Sequence, residues 1–416
     1  MMEGMLNPYR ILDLTNERGL ICAKILGDLG ADVIKVEKPG GDPVRRIGPF
    51  YHDTPEPEKS LYWFALNTSK RGITLDIETT DGQAIFKRLV ETADIVIESF
   101  DPGYMDKLNL GYPALSQINQ KIIMTSITGF GQTGPYKDLK ASDFVVWALS
   151  GVLYIVGDPD RSPLAPGFPQ AFLFGAMQAT VGTMVALFHS HITGHGQHVD
   201  ASALLASSLL TQPDVQGVWD LERKITPRLG RMRLRPGTLV RTPLLWQCKD
   251  GEVSYIIMLG PATAHSNFLL AEWVDSEGMS SETFRNINWK KIGWDEMTQE
   301  LADEVIEVLS KFFMKHTKAE LFEGATKRSI LLSPTLTPKD LLEFEHLAAR
   351  NYWIELEHPE LDAIISYPGG FVRSTETSCG ISRRAPGIGE HNEEIYLNEL
   401  GLSKKELVTL KQYKVI

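Results

Sequence analysis

The stretch YRILDLTNERGLICAKILGDLGADVIKVEK, Tyr9–Lys38, sets the fold class. Its first seven residues, Tyr9–Thr15, form a short apolar run that reads as a buried strand. Leu20–Gly30 carries apolar residues at helical spacing and stops at a glycine, as helices commonly do. Ala31–Lys38 then reads as a second buried strand. Further along, GITLDI (Gly72–Ile77) is a third strand and TTDGQAIFKRLVETA (Thr79–Ala93) a helix, and DIVIESF (Asp94–Phe100) and KIIMTSITGF (Lys121–Phe130) continue the strands. Strands alternating with helices at this spacing form βαβ units in a mostly parallel α/β sheet. Such sheets bind ligands beyond the carboxyl ends of their strands.

The pattern changes near Leu221. Glu222–Pro243 is basic and rich in turn residues, and LLWQCKDGEVSYIIML reads as a hairpin about Lys249-Asp250-Gly251. Asp295–Ala325 is amphipathic and helical in period. Strand signals return in AIISYPGGFV. The expected organisation is a large domain beginning with residues 1–224, a small α+β domain over 225–332, and a C-terminal segment, 333–416, that rejoins the large domain.

The chain has 416 residues and a formal net charge of −11, so a broad basic surface for nucleic acid is not expected. Its three cysteines, Cys22, Cys248 and Cys379, are too few and too far apart for a disulfide framework, which fits a reducing cytoplasm. Met1–Arg10 lacks the basic and apolar regions of a signal peptide. Ala171–Phe188 is apolar and long, but Gly175, Gln178, Thr180, Gly182 and Thr183 favour a buried helix over a membrane span.

Several motifs carry possible chemistry. GFGQTG (Gly129–Gly134) has dinucleotide-fingerprint spacing, but Pro135 and Tyr136 follow it and no helix opens at the glycines. A nicotinamide is therefore not expected, and a glycine-rich loop over another ligand is. His189, His191, His195 and His198 have spacings that suit a metal, but Gly194 and Gly196 break the helix and no third ligand type is near, so no metal is expected. Lys35, Lys38, Arg45, Arg46, Lys70 and Arg71 follow the early strands. They are either phosphate ligands or ordinary surface charge.

These blocks together resemble the family III CoA-transferases, the CaiB/BaiF family. The resemblance lies in DLGADVIKVEKPGGDPVR (Asp28–Arg45), NTSKRGITLDI (Asn67–Ile77), ESFDPGYMDKLNLGY (Glu98–Tyr112), SITGFGQTGPY (Ser126–Tyr136), SDFVVWALSG (Ser142–Gly151), TGHGQHVDASALLA (Thr193–Ala206) and APGIGEHNEEI (Ala385–Ile395). It implies a Rossmann-like large domain, a smaller domain and two interlocked chains. It also implies covalent catalysis. An Asp attacks an acyl-CoA thioester to give an acyl–aspartyl anhydride, and the released CoA thiolate attacks the aspartyl carbonyl to form an aspartyl-CoA thioester as the donor acid leaves. The acceptor carboxylate then attacks that thioester, expelling CoA thiolate, which takes up the acceptor acyl group as a new thioester and frees the Asp. By the same resemblance, coenzyme A contacts fall at Glu17, Lys38, Leu75, Ser99, Phe100, Lys107, Gly129, Phe130 and Gly131.

The nucleophile position is matched by Phe172 or Ala171, and no carboxylate lies between Asp160 and Asp200. Glu78 stands where the family usually has a Lys near the nucleotide phosphates, and Asp101 falls in the Asn-Phe-Arg-Pro-Gly segment, here Ser99–Gly103. Ser142 replaces the His of racemase members. The expectation is a non-catalytic subunit that acts beside a paralogous catalytic subunit. Together they would move CoA from an acyl-CoA such as succinyl-CoA to an acid such as benzylsuccinate, as in anaerobic aromatic degradation. Two alternatives stand: an active homodimer that uses Glu17 or Asp143, and a CoA-binding regulatory protein.

Overall fold

The computed structural model describes residues 4–211, 216–225, 228, 232–235, 238–257, 259, 264–293 and 296–416. It contains a six-stranded sheet in which β1 (Arg10–Leu14), β2 (Asp32–Glu37), β3 (Lys70–Thr74), β4 (Ile95–Glu98), β5 (Ile123–Thr128) and β6 (His198–Ser202) lie in the order 3-2-1-4-5-6. Every pairing is parallel. Helices between the strands are α1 (Leu20–Asp28), α2 (Leu61–Leu66), α3 (Thr80–Val90), α4 (Tyr104–Lys107), α5 (Tyr112–Ile118) and α6 (Asp143–Leu149). The chain therefore reverses winding direction between β1 and β4, and the open crevice of such a sheet lies there, past the carboxyl ends of both strands.

Two apolar layers flank the sheet. One packs Leu12, Ile34, Ile73 and Val96 against Phe86 and Leu89 of α3 and the C-terminal Val415 and Ile416. The other packs Ile11, Val33, Ile97 and Ile123 against α1 and a long helix, Ala171–Thr193. The alternation of residues along each strand divides them between the layers. Small residues bring the long helix close to its neighbours: a Cβ on Gly175 would lie 2.9 Å from the Ala203 Cα. Thr183 bonds Thr125 of β5 at 2.7 Å.

Three expectations need correction. β3 runs over Lys70–Thr74, not to Ile77, because buried Lys70 and Arg71 belong to the strand and their charges disguise it. The long helix is not buried all round. Met177, Val181, Val185, Phe188 and Ile192 form an exposed apolar stripe at three- and four-residue spacing. Lys35, Arg45, Lys70 and Arg71 are neither surface charge nor phosphate ligands. They are buried in ion pairs with Asp13, Glu37 and Asp32.

The chain divides into two compact units. One comprises 1–153, 165–223 and 346–416, and the other 154–164 and 224–345. The second unit has its own core. The helix Gln299–Lys315 sets Val305, Leu309, Phe312 and Phe313 against Trp246, Val253 and Trp273. The hairpin about Lys249–Gly251 is present as antiparallel strands Leu245–Cys248 and Gly251–Tyr255. Within the expected basic stretch Glu222–Pro243, residues 226–227, 229–231 and 236–237 lie outside the described residues, as does the expected helix start at 295.

Candidate functional site

The site is built where the first unit's sheet changes direction. After β1 the backbone makes a tight turn, Thr15–Gly19, before α1. Asn16 anchors this turn to the end of β4: its amide donates to the Ser99 hydroxyl at 2.8 Å, and that hydroxyl donates to Asn16 Oδ1 at 2.9 Å. The Arg18 amide donates to the same oxygen at 3.1 Å. The next two side chains then face outward. Glu17 is exposed, and Arg18 reaches Asp101 at 3.3 Å and lies 5.6 Å above the Phe172 ring.

Phe172 stands in the first turn of the long helix. Ala171 and Phe172 are both buried and neither can form an anhydride. The amides at this helix start need acceptors. Asp143 supplies them from α6, taking the Phe172 amide at 3.0 Å with one oxygen and the Gln170 amide at 3.2 Å with the other. Tyr62 lies within the same group: burial, followed by the charges of Glu17 and Asp143, raises its phenol above the usual range. Glu17, Arg18, Tyr62, Asp143 and Phe172 therefore surround the place where the nucleophile is expected.

A second chain of contacts continues from β4 toward β2 and β3. Phe100 is half-buried, with its ring 4.5 Å from that of Tyr104. The Tyr104 hydroxyl donates to Glu78 at 2.6 Å, and Lys38 pairs with the other Glu78 oxygen at 2.9 Å. The phenol and the ammonium together hold Glu78 below the usual carboxylate range. Lys38, which resembles a CoA contact, already has an internal counter-ion.

On the far side, Gly129–Gly131 follows β5. A Cβ on Gly129 would sit 2.2 Å from the Ala141 Cβ, so only glycine fits. Gly131 takes a left-handed φ of 93°. Asp200 of β6 accepts the Gln132 amide at 2.9 Å and fixes the turn. The next helix, α6, begins only at Asp143, so no helix N-terminus is presented at these glycines.

All nine expected contact residues lie at or beyond the carboxyl side of the sheet, but their side chains differ in availability. Glu17, Lys38 and Lys107 are exposed. Phe130 is partly buried and meets the Tyr136 ring edge-on at 6.4 Å. Leu75 belongs to the apolar core, and Ser99 is spent on Asn16. The side chains at these last two positions are thus committed within the protein. The sequence reading missed Arg18, Tyr62 and Tyr104. Their signal lay in position alone, since each sits at most a few residues beyond a predicted strand or in a helix flanking the crevice.

Beneath the crevice, Glu98 at the end of β4 is almost fully buried. Burial pushes its carboxyl up to about 7, even though the Ser126 side chain and the Phe100 amide bond it. Ser126 also meets His198 Nε2 at 2.9 Å. The histidines of the cluster His189, His191, His195 and His198 do not converge. His195 meets Gln120, His189 meets Thr193 and His198 meets Ser126. Among the described residues, no group of three or more His, Cys, Asp or Glu is placed to hold a metal ion.

The family model for CoA-transferase family III matches residues 6–392. The chain is 34% identical over 403 residues to the succinyl-CoA:(R)-benzylsuccinate CoA-transferase subunit BbsE of Thauera aromatica, covering 97% of this chain and 96% of that one. It is 29% identical over 398 residues to the succinyl-CoA–L-malate CoA-transferase beta subunit of Chloroflexus aurantiacus, covering 95% and 94%. Its fold matches the crystal structure of a CaiB/BaiF family protein from Brucella suis with a TM-score of 0.79 at 26% identity, over 95% of this chain and 99% of that one. Enzymes of this kind take CoA thioesters as substrates. The chain belongs to the family III CoA-transferases.

Proposed function

We propose that this chain is the non-catalytic subunit of a heteromeric CoA-transferase. A paralogous subunit that keeps the nucleophilic Asp performs the covalent steps. The observation that carries this reading is the opening of the long helix. By the family resemblance Phe172 or Ala171 matches the nucleophile position, and the acid that caps that helix start, Asp143, spends both oxygens on backbone amides. A carboxylate engaged by two donors has fewer lone pairs left for attack on a thioester.

The exposed apolar stripe from Met177 to Ile192 supports a chain-to-chain interface, since large apolar patches on isolated chains mark interaction surfaces. An interlocked pair, as the family resemblance implies, would cover it. Succinyl-CoA is the favoured donor and a carboxylic acid such as benzylsuccinate the favoured acceptor, in a cytoplasmic anaerobic pathway of aromatic degradation. The names of the two relatives, each called a subunit of a succinyl-CoA-dependent transferase, support that choice.

In this reading the chain's residues bind and shape rather than react. Gly129–Gly131 offers backbone close to a ligand, Lys107 offers positive charge, and Arg18 offers a guanidinium to a carboxylate. The test is to purify the chain alone and with its paralogue, then assay transfer between succinyl-CoA and benzylsuccinate. Activity only in the mixed complex, abolished by Asp→Ala in the paralogue, is the expected result. Turnover by the single purified chain would overturn the reading in favour of a homodimer acting through Glu17 or Asp143.

A further inference from the structure

The turn that presents Glu17 and Arg18 is gripped at both ends by buried ammonium groups. Lys35 of β2 donates to the Thr15 carbonyl. Lys70 of β3 donates to the Leu20 carbonyl at 3.0 Å, to Asp13 at 2.8 Å and to Asn67 Oδ1 at 3.0 Å, which uses all three of its protons. Asp13, between them, accepts the Thr15 amide at 2.9 Å and the Thr15 hydroxyl at 2.6 Å. Asp13, Lys35 and Lys70 are fully buried. An anion and two cations buried side by side are a costly way to stabilise a sheet, because apolar residues of equal volume commonly do as well. What apolar residues cannot do is hold two backbone carbonyls on opposite sides of a six-residue turn.

We propose that Lys35 and Lys70, bridged by Asp13, are positioning residues for ligand binding, clamping the ends of Thr15–Leu20 so that Glu17 and Arg18 meet the acyl-CoA in one fixed arrangement. This rests on the crevice being the place of the acyl-CoA. The two lysines are not equivalent. Around Lys35 stand Asp13, Asp42 and Glu37, which outweigh its burial and raise it. Around Lys70 stand Asp13 from β1, Asn67, Lys35 from β2, and Lys24 and Cys22 from α1. Burial dominates, and Lys70 falls to about 8. The clamp therefore loosens at the Lys70 end when that group loses its proton.

The test follows amide hydrogen exchange of the full chain, corrected for intrinsic rates, at pH 6.5 and pH 9. Protection across Thr15–Leu20 is expected to fall at least tenfold between these values while β5 stays constant. Lys70→Met and Lys35→Met are expected to lower it at both, and Lys70→Arg to keep it at pH 9. If a methionine variant fails to fold, the wild-type pH comparison still decides. Unchanged protection of the turn in the wild type across this range, or in both methionine variants, overturns the clamp. In the complex with the paralogue, Lys70→Met is expected to raise KM for succinyl-CoA at least fivefold with kcat within twofold. Unchanged KM overturns the positioning role. An inactive wild-type complex would count against the proposed function alone, because the exchange data judge the clamp separately.

Discussion

The Arg18 guanidinium lies 5.6 Å above the Phe172 ring and 3.3 Å from Asp101. In the proposed non-catalytic reading, an aromatic ring stands at one of the two positions matched to the nucleophile, and a cation lies over it. Phe172→Asp exchanges a buried ring for an acid, and losing that packing costs on the order of 3–5 kcal/mol. A carboxylate placed there also meets Asp143 at the same helix start. The expected outcome is a lower denaturant midpoint and no transfer above background by the isolated chain. Recovered turnover would show that one residue alone separates this chain from a catalyst.

Asp143 separates the two catalytic readings. As a cap for the Gln170 and Phe172 amides, it contributes about 1 kcal/mol. Asp143→Ala is expected to lose roughly that stability in urea unfolding and to leave transfer by the heteromer within tenfold of wild type. A nucleophile would behave differently, with loss of several orders of magnitude and little change in stability.

The crevice was legible in the sequence only in part. The strands announced themselves because parallel strands are covered on both faces and read as apolar runs. The glycine turn was legible because Gly129 has no room for a side chain. The buried lysines were not, since a charge in a sequence carries no mark of whether a partner awaits it across the sheet. Lys70 and Arg71 find Asp13 and Asp32, which lie 57 and 39 residues earlier in the chain. Likewise, the family resemblance makes Ser99 a ligand contact, and only the fold shows its hydroxyl committed to Asn16.

Glu78 pairs with Lys38, one of the residues expected to contact coenzyme A. Glu78→Lys removes a repulsive carboxylate and adds a cation. At about 1 kcal/mol per exposed charge contact, CoA binding by the isolated chain is expected to tighten roughly fivefold or more. The gain should shrink as salt is raised, because exposed charges are screened. Calorimetric titration with CoA at two ionic strengths measures both effects.

Glu98 gives the fold a pH dependence. Its carboxyl is raised to about 7 from an ordinary 4.5, so the folded state holds a proton that the unfolded chain releases. The contribution of this group to stability is largest below pH 4.5, falls as pH rises through 7, and is constant above it. Glu98→Gln keeps the shape of the protonated acid without the titration. In urea unfolding from pH 5 to pH 8, the variant is expected to gain on the wild type by a few kcal/mol at most. Parallel curves would place the proton elsewhere.

The stripe on the long helix tests assembly independently of chemistry. Phe188 is 68% exposed, and Val181, Val185 and Ile192 are exposed beside it, whereas Ala179, Thr183, Ala186 and Leu187 of the same helix face the core. A charge at Phe188 therefore disturbs only what lies outside the chain. Phe188→Glu is expected to leave the urea midpoint of the isolated chain within about 0.5 kcal/mol of wild type, as surface changes do. Mixed with the paralogue, it should fail to form the heteromer, because burying an unpaired carboxylate in an apolar interface costs several kcal/mol. Sedimentation velocity at micromolar concentration reads the outcome directly. A heteromer that forms normally with Glu at this position would move the interface off this helix and leave the stripe without the role proposed for it.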